Sequence, residues 1–143
     1  MYSIESDPKT TARVQASNLN ISRKHSVVVG RWIKNKKVDK AISLLNSVAQ
    51  KERAVPYRMH NDSLAHKKTT SGAGRYPVIV VKKFVELLES ARSNAEYKGL
   101  DVKKLFVKHV NANKGFEYYR PRRSSLRGQV RKSTNLTIIV EER

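Results

Sequence analysis

The sequence predicts an α+β fold, in which a small antiparallel sheet packs with three helices and one long β-hairpin protrudes from this body. Three stretches repeat apolar residues at three- and four-residue steps, as amphipathic helices do. Three others alternate apolar and polar residues, as half-buried strands do. The last two strands are separated by a strongly basic stretch, which predicts a hairpin that extends beyond the core.

The N-terminal part of the chain predicts one strand and two short helices. Residues 12–16 alternate apolar and polar side chains, which is typical of a half-buried strand. Ser22 is a suitable N-cap for a helix that runs to about Ile33. A second helix begins at Val38 and ends near Gln50, with apolar residues again at helical steps. Because both helices have an apolar face, we expect them to pack together.

The middle of the chain predicts a long polar loop followed by the longest helix. Residues 51–77 lack apolar periodicity and carry basic, hydroxyl and imidazole groups suited to phosphate and sugar contacts. Loops of this length in compact domains are usually functional or disordered. A strong helix begins at Val78 and is expected to end at Lys98 and Gly99. Lys98 places a cation near the C-terminus of the helix, and Gly99 can take the left-handed conformation that caps it.

The C-terminal part predicts the protruding hairpin. Leu105–Val110 and Leu136–Val140 are the most strand-like segments, and residues 111–135 between them carry seven basic residues, one acidic residue and three aromatic residues. With a turn near Arg122 or Arg123, arms of roughly 17 residues would reach about 55 Å. A compact body of this size is only about 30 to 35 Å across. We therefore expect the distal half to become ordered only inside its partner.

Charge and composition narrow the class of function. The 143 residues include 30 Lys and Arg against 12 Asp and Glu, a net charge of +18 that is spread along the whole chain. Such a surface predicts a polyanion contacted from several sides. The absence of cysteine excludes disulfides and thiolate zinc sites, and no apolar run is long enough to span a membrane. The four histidines lack convergent partners, so we expect no metal, no cofactor and no catalytic residues.

Six motifs, in order and at compatible spacings, resemble one known family. They are Ile21–Ser26, Val38–Leu45, Ala54–Arg58, Gly74–Pro77, Asn94–Leu100 and Tyr119–Arg122. The chain resembles the universal large-subunit ribosomal protein twenty-two family from about residue 10 to 141, in its archaeal and eukaryotic branch. The resemblance implies a cytoplasmic, non-enzymatic protein whose body binds large-subunit rRNA near the mouth of the exit tunnel. It also implies neighbouring ribosomal proteins as partners, a role in subunit assembly, and a hairpin that lines the tunnel beside the nascent peptide.

The sequence therefore predicts one ribosomal protein domain over residues 1–143. Its body comprises about residues 10–110 and 133–141, with a basic loop at 51–77 and a hairpin tip at about 111–132. The predicted rRNA-binding residues are Arg23, Lys24, Lys36, Lys37, Arg53, Arg58, His60, His66, Lys67, Lys68, Arg75, Tyr76, Lys108, Lys114, Tyr118, Tyr119, Arg120, Arg122, Arg123, Arg127, Arg131 and Lys132. The predicted tunnel tip is Arg120, Pro121, Arg122 and Arg123.

Three alternatives remain open at this point. The basic residues of the first helix could equally form an ordinary solvated face. A free nucleoid or RNA-chaperone protein would also carry this charge, although it would leave the apolar stripes and the long hairpin unexplained. An RNA-processing enzyme would need carboxylate or histidine clusters, which the sequence does not contain.

Overall fold

The computed structural model describes residues 7–70, 72–120 and 128–143, and it confirms the α+β fold with a long C-terminal strand pair. The helices are α1 (Arg23–Ile33), α2 (Val38–Ala49) and α3 (Val78–Tyr97), with a 3₁₀ turn at Val102–Lys104. The strands are β1 (Thr11–Leu19), β2 (Val55–Pro56), β3 (His66–Lys67), β4 (Gly72–Arg75), β5 (Leu105–Tyr119) and β6 (Val130–Glu142).

The main sheet is antiparallel, in the order β1-β6-β5. Side chains alternate across a strand, so Leu136, Ile138 and Val140 of β6 share one face and lie in the core beneath the helices. On this face α3 packs mainly on β1, α1 packs mainly on β5, and α2 packs on α3. The prediction that α1 and α2 pack against each other is therefore wrong, because the apolar stripe of each helix faces another element.

The helix ends lie where the sequence predicts them, but the hydrogen bonds at the start of α1 differ from those expected of an N-cap. Ser22 occupies the N-cap of α1, but its side chain caps no amide, and its carbonyl accepts from the Ser26 hydroxyl at 2.9 Å. At the end of α3, Gly99 takes the left-handed conformation with φ of 77°. The following amide, of Leu100, donates to the Ala95 carbonyl at 3.0 Å, which closes the helix as predicted.

The 51–77 segment is more structured than its sequence predicts. Strands β2, β4 and β3 form a second small sheet in that order, and the segment buries Ala54, Val55 and Tyr57. The Ala54 amide donates to the Thr69 hydroxyl at 3.0 Å across the segment. The prediction of a long polar loop is therefore wrong where these strands form, because the strands pair with partners that are distant in sequence and the few apolar residues are buried by that pairing.

The hairpin of β5 and β6 is longer than the two segments predicted from alternation. Its pairing extends from Leu105 opposite Glu142 to Tyr119 opposite Val130. The last residue of β6 that pairs with β1 is Thr134, so the ladder beyond it has only two strands. The predicted turn near Arg122 or Arg123 lies outside the described residues.

Candidate nucleic-acid interface

Positive charge is unevenly distributed over the fold. Helices α2 and α3 together carry four basic and four acidic residues, so the whole excess of +18 belongs to the rest of the chain. The two helices pack on each other, and an ion pair of 3.5 Å between Arg92 and Asp39 joins them. The protein therefore has one electrically neutral layer, which we call the neutral layer, and basic surfaces elsewhere.

A groove of about 840 Å³ lies where the N-terminal ends of α1 and α3 meet the base of the hairpin. We call it the root groove. Five predicted rRNA-binding residues from four separate segments line it: Arg23, Lys24, Tyr76, Lys114 and Lys132. Lys114 also pairs with Glu117 at 2.9 Å, so one of these cations is partly neutralised. The fold thus brings together residues that are up to 109 positions apart in sequence.

One wall of the root groove is stabilised by a contact between α1 and the 51–77 segment. His25 Nδ1 and the Tyr57 hydroxyl share a hydrogen bond of 2.7 Å. Burial lowers the pKa of His25 below its usual 6.5, and the charges of Arg75 and His60 lower it further. Burial raises the pKa of Tyr57 to about 12. Both groups are therefore neutral near pH 7, and they hold the basic segment against α1 without adding charge.

A cluster of polar side chains fixes the hairpin where it leaves the three-stranded sheet. Asn18 Oδ1 accepts from the Phe116 amide at 3.0 Å, and the Asn18 amide donates to Asn135 Oδ1 at 2.7 Å. The Ser133 hydroxyl donates to the Phe116 carbonyl at 2.6 Å. Gly115 lies inside this cluster, where a Cβ would come within 2.9 Å of Asn18 Oδ1. We call these five residues the hairpin bracket, because they join β1 to β5 and β6 where the two-stranded arm begins.

The arm beyond the hairpin bracket exposes aromatic and basic side chains. Phe116 is 63% exposed, Tyr118 49% and Tyr119 78%, and the first two rings meet edge to face at 5.0 Å. Arg131 donates to Asn20 at 3.3 Å. Exposed rings of this kind offer stacking surfaces for nucleic-acid bases. Arg120 is also exposed, whereas the predicted site residues Pro121, Arg122, Arg123 and Arg127 lie outside the described residues.

The remaining predicted residues lie in two other places. Around Trp32, between α1 and the 51–77 segment, are Lys36, Arg53 and Arg58, and on that segment are also His60, His66, Lys67, Lys68 and Arg75. At the edge and outer face of the sheet are Lys37, which lies 5.9 Å from the Phe106 ring, and Lys108, which pairs with Glu141. The position of Trp32 in a basic groove was not predicted from the sequence, because only the fold brings the 51–77 segment to it.

The described residues contain no cluster of three side chains of the kind that hold a metal ion. In the same part of the chain, the helices are too short or too polar to cross a membrane. What these residues do form is a set of basic grooves and exposed rings.

A small α+β body with basic grooves, from which a basic two-stranded arm projects, is typical of the class of proteins that bind a polyanion through several surfaces. The sequence model of the family described as ribosomal protein L22p/L17e matches residues 14–141, and the chain belongs to this family.

Curated relatives agree with this assignment over nearly the whole chain. The large ribosomal subunit protein uL22 of Methanococcus aeolicus is 40% identical, over 99% of this chain and 95% of the relative. The protein of the same name from Methanocaldococcus jannaschii is 38% identical over 99% and 94%. That of Methanoregula boonei is 37% identical over 99% and 96%.

Proposed function

We propose that the chain is a structural protein of the cytoplasmic large ribosomal subunit. It binds large-subunit rRNA, contacts neighbouring ribosomal proteins and supports assembly of the subunit, without catalysis. Membership of the L22p/L17e family supports this function. The observation that carries it in the structure is the root groove, where four separate segments place cations and a tyrosine around one cavity.

The arrangement of charge supports contact with RNA on several sides. Cations line the root groove and the groove beside Trp32, and the arm adds Arg131 and Arg120. Arginine and lysine side chains at such positions neutralise phosphates and release counterions. The neutral layer of α2 and α3 is the surface best suited to face solvent or neighbouring proteins, because it offers no excess charge to RNA.

The pairing of β5 with β6 continues beyond the three-stranded part of the sheet. We propose that the tip of this hairpin lies in the exit tunnel beside the nascent peptide. Support comes from the two-stranded arm itself, which extends past the last pairing with β1, and from the hairpin bracket where it begins.

Gradient sedimentation in moderately high salt tests the subunit assignment. A tagged copy expressed in its own host should stay with the large subunit, because many rRNA contacts act together. The alternative function, a free basic nucleic-acid-binding protein, predicts that salt strips the protein from the particle. Tagged protein at the top of the gradient would reject the proposal.

A shortened hairpin tests the division between body and tip. The Arg120 amide donates to the Gln129 carbonyl at 3.2 Å, so an Asn-Gly turn joining these two residues should close the hairpin without disturbing either strand. The replacement removes Arg122, Arg123 and Arg127. Each phosphate contact contributes about 0.7 to 0.9 to the slope of log K against log salt concentration. The slope for rRNA binding should therefore become less steep by roughly 2 to 3 units.

The same variant should still enter large subunits, because the body keeps its grooves. Altered passage of the nascent peptide, with normal peptide-bond formation, is the expected change in the particle. An unchanged salt slope would show that the tip contributes no phosphate contacts. Failure of the variant to enter subunits would show that the tip is needed for docking.

A further inference from the structure

Trp32 stands at the boundary between two grooves, neither of which was predicted from the sequence. The groove on one side has a volume of about 580 Å³ and an apolar floor that includes Val28, Pro56 and Met59. The groove on the other side is smaller, about 250 Å³, and lies against the 51–77 segment. The indole is half-buried, so its inner part is held by the core while its outer part lines both grooves.

Every charged side chain that lines these grooves is basic. The larger groove is lined by Arg31, Lys34, Lys36 and Arg58, and the smaller one adds Arg53, whose guanidinium carbon lies 5.9 Å from the centre of the indole ring. The described lining of either groove includes no carboxylate. An aromatic ring with an apolar floor and a cationic rim matches the chemistry of a nucleotide, in which a flat base is attached to anionic phosphates.

We propose that the larger of these grooves, which we call the Trp32 groove, is a base-binding site, in which one unstacked base of single-stranded rRNA lies against the indole. Arg31 of α1, whose guanidinium contacts Met59 Sδ, Lys34 at the end of α1 and Arg58 of the 51–77 segment bind the flanking phosphates. This inference rests on the proposed function, and it names the element of RNA that this surface takes. A segment of a basic ribosomal protein is disfavoured as the occupant of this groove, because the five cations that line the two grooves would repel it.

Binding at this site can be followed by tryptophan fluorescence, because Trp32 is the only tryptophan of the chain. The full-length protein is titrated with a single-stranded RNA of about six nucleotides, within the range of known single-strand site sizes. A parallel titration uses an abasic strand with the same number of phosphates. The base-containing strand should quench Trp32 fluorescence by stacking on the indole. The abasic strand should leave the fluorescence unchanged.

Two substitutions separate the indole from general electrostatics. Trp32→Leu keeps an apolar side chain but removes the ring, and should weaken binding of the base-containing strand about 5- to 150-fold, the range for loss of one stacked base. Its affinity for the abasic strand should stay within about twofold, because phosphate contacts alone hold that strand. The matched control is Tyr97→Leu, which removes a 95% exposed ring from the neutral layer and should change neither affinity. Thermal unfolding of each variant verifies that the fold is kept.

The cationic rim is tested by salt dependence. Arg31→Gln and Lys34→Gln should each reduce the salt slope for the base-containing strand by about 0.7, the value for one phosphate contact on a single strand. Lys82→Gln, on the exposed surface of α3, is the control and should leave the slope unchanged.

The outcomes distinguish this inference from the proposed function. If rRNA fragments bind with normal affinity but neither strand quenches Trp32, the base-binding site is refuted and the ribosomal role stands. Equal loss of affinity for both strands in Trp32→Leu would also refute it, because the indole would then act only on the fold. If no rRNA fragment binds at all, the proposed function itself fails. Trp32 fluorescence that changes only with a ribosomal protein would assign the groove to a protein partner, against this proposal.

Discussion

Substitution of Gly30 by alanine tests how closely α1 lies on β5. Gly30 is buried near the C-terminal end of α1, and a Cβ added there would lie 2.8 Å from Val110 Cγ1 and 3.2 Å from Val110 Cβ. Ordinary contacts between carbon atoms are about 3.5 to 4.0 Å, so either the helix or the Val110 side chain would have to move. The absence of a side chain at this position is what allows the helix to approach the strand.

Two opposing effects set the size of the change. Alanine favours a helix interior over glycine by about 0.8 to 1.0 kcal/mol. Forcing an extra methyl group into a packed contact costs about 1 to 3 kcal/mol. We expect the packing cost to exceed the helix gain, so that Gly30→Ala lowers the free energy of unfolding by about 1 kcal/mol. For a chain of this length that corresponds to a fall in Tm of about 3 °C.

The assay is urea unfolding followed by circular dichroism, with Gly30→Ala and Val110→Ala measured singly and together. Val110→Ala removes the Cγ1 atom that the new methyl group would meet. The double variant should therefore be more stable than the sum of the two single effects predicts, by about 1 kcal/mol. An increase in stability of Gly30→Ala by the whole helix gain, with additive effects in the double variant, would refute the close contact.

Three further predictions concern pH, the hairpin bracket and charge. The pKa of His25 is lower in the folded chain than in the unfolded chain, so the unfolded chain binds a proton there more readily. The free energy of unfolding should therefore keep its full value above about pH 6.5 and fall below it. His25→Asn should make the urea midpoints at about pH 7.5 and 5.5 more alike. In Gly115→Ala the new methyl group should press against Asn18 and loosen the hairpin bracket, so amide exchange in the arm should become faster. Slower exchange than in the parent protein would argue against this. Lys132→Glu should weaken binding of rRNA in filter assays, and Lys40→Glu, on the neutral layer, should not; equal losses would mean that net charge alone governs affinity.

The sequence was sufficient to predict the helices and main strands, because their patterns are local. Leu45, Phe84 and Leu88, which lie at helical steps, are fully buried. In β6 the strand itself is confirmed, but Thr137 and Ile139 are buried as well as Ile138 and Val140, so burial does not alternate there as predicted. Each such pattern repeats over two or more turns or several strand residues, so a single deviation does not obscure it. Exposed Ile79, in the first turn of α3, is such a deviation.

The 51–77 segment shows where local patterns fail. Val55 pairs with Arg75, and His66 pairs with Ala73, so each short strand depends on a partner several residues away. Strands of two residues carry no periodicity that could be recognised. The same limit applies to the interaction of α1 with α2, since an apolar stripe shows that a helix is buried on one side but does not identify its neighbour.

The candidate site was predictable in composition and unpredictable in geometry. Basic and aromatic residues are visible in the sequence, and the family resemblance, confirmed by the L22p/L17e match, gave the class of partner. The root groove, however, needs Arg23 of α1 and Lys132 of β6 to meet, and only the topology of the sheet brings them together. The position of Trp32 between two basic grooves depends in the same way on where the 51–77 segment folds back.

The neutral layer has a consequence for how the protein first meets its partner. Because all the net charge belongs to the rest of the chain, the centre of charge is displaced from the centre of mass, and the field of a polyanion exerts a torque on the molecule. During diffusion, the protein should rotate so that α2 and α3 trail and its basic side leads. Productive collisions are then enriched before any contact forms, and this gain disappears as added salt shortens the range of the field.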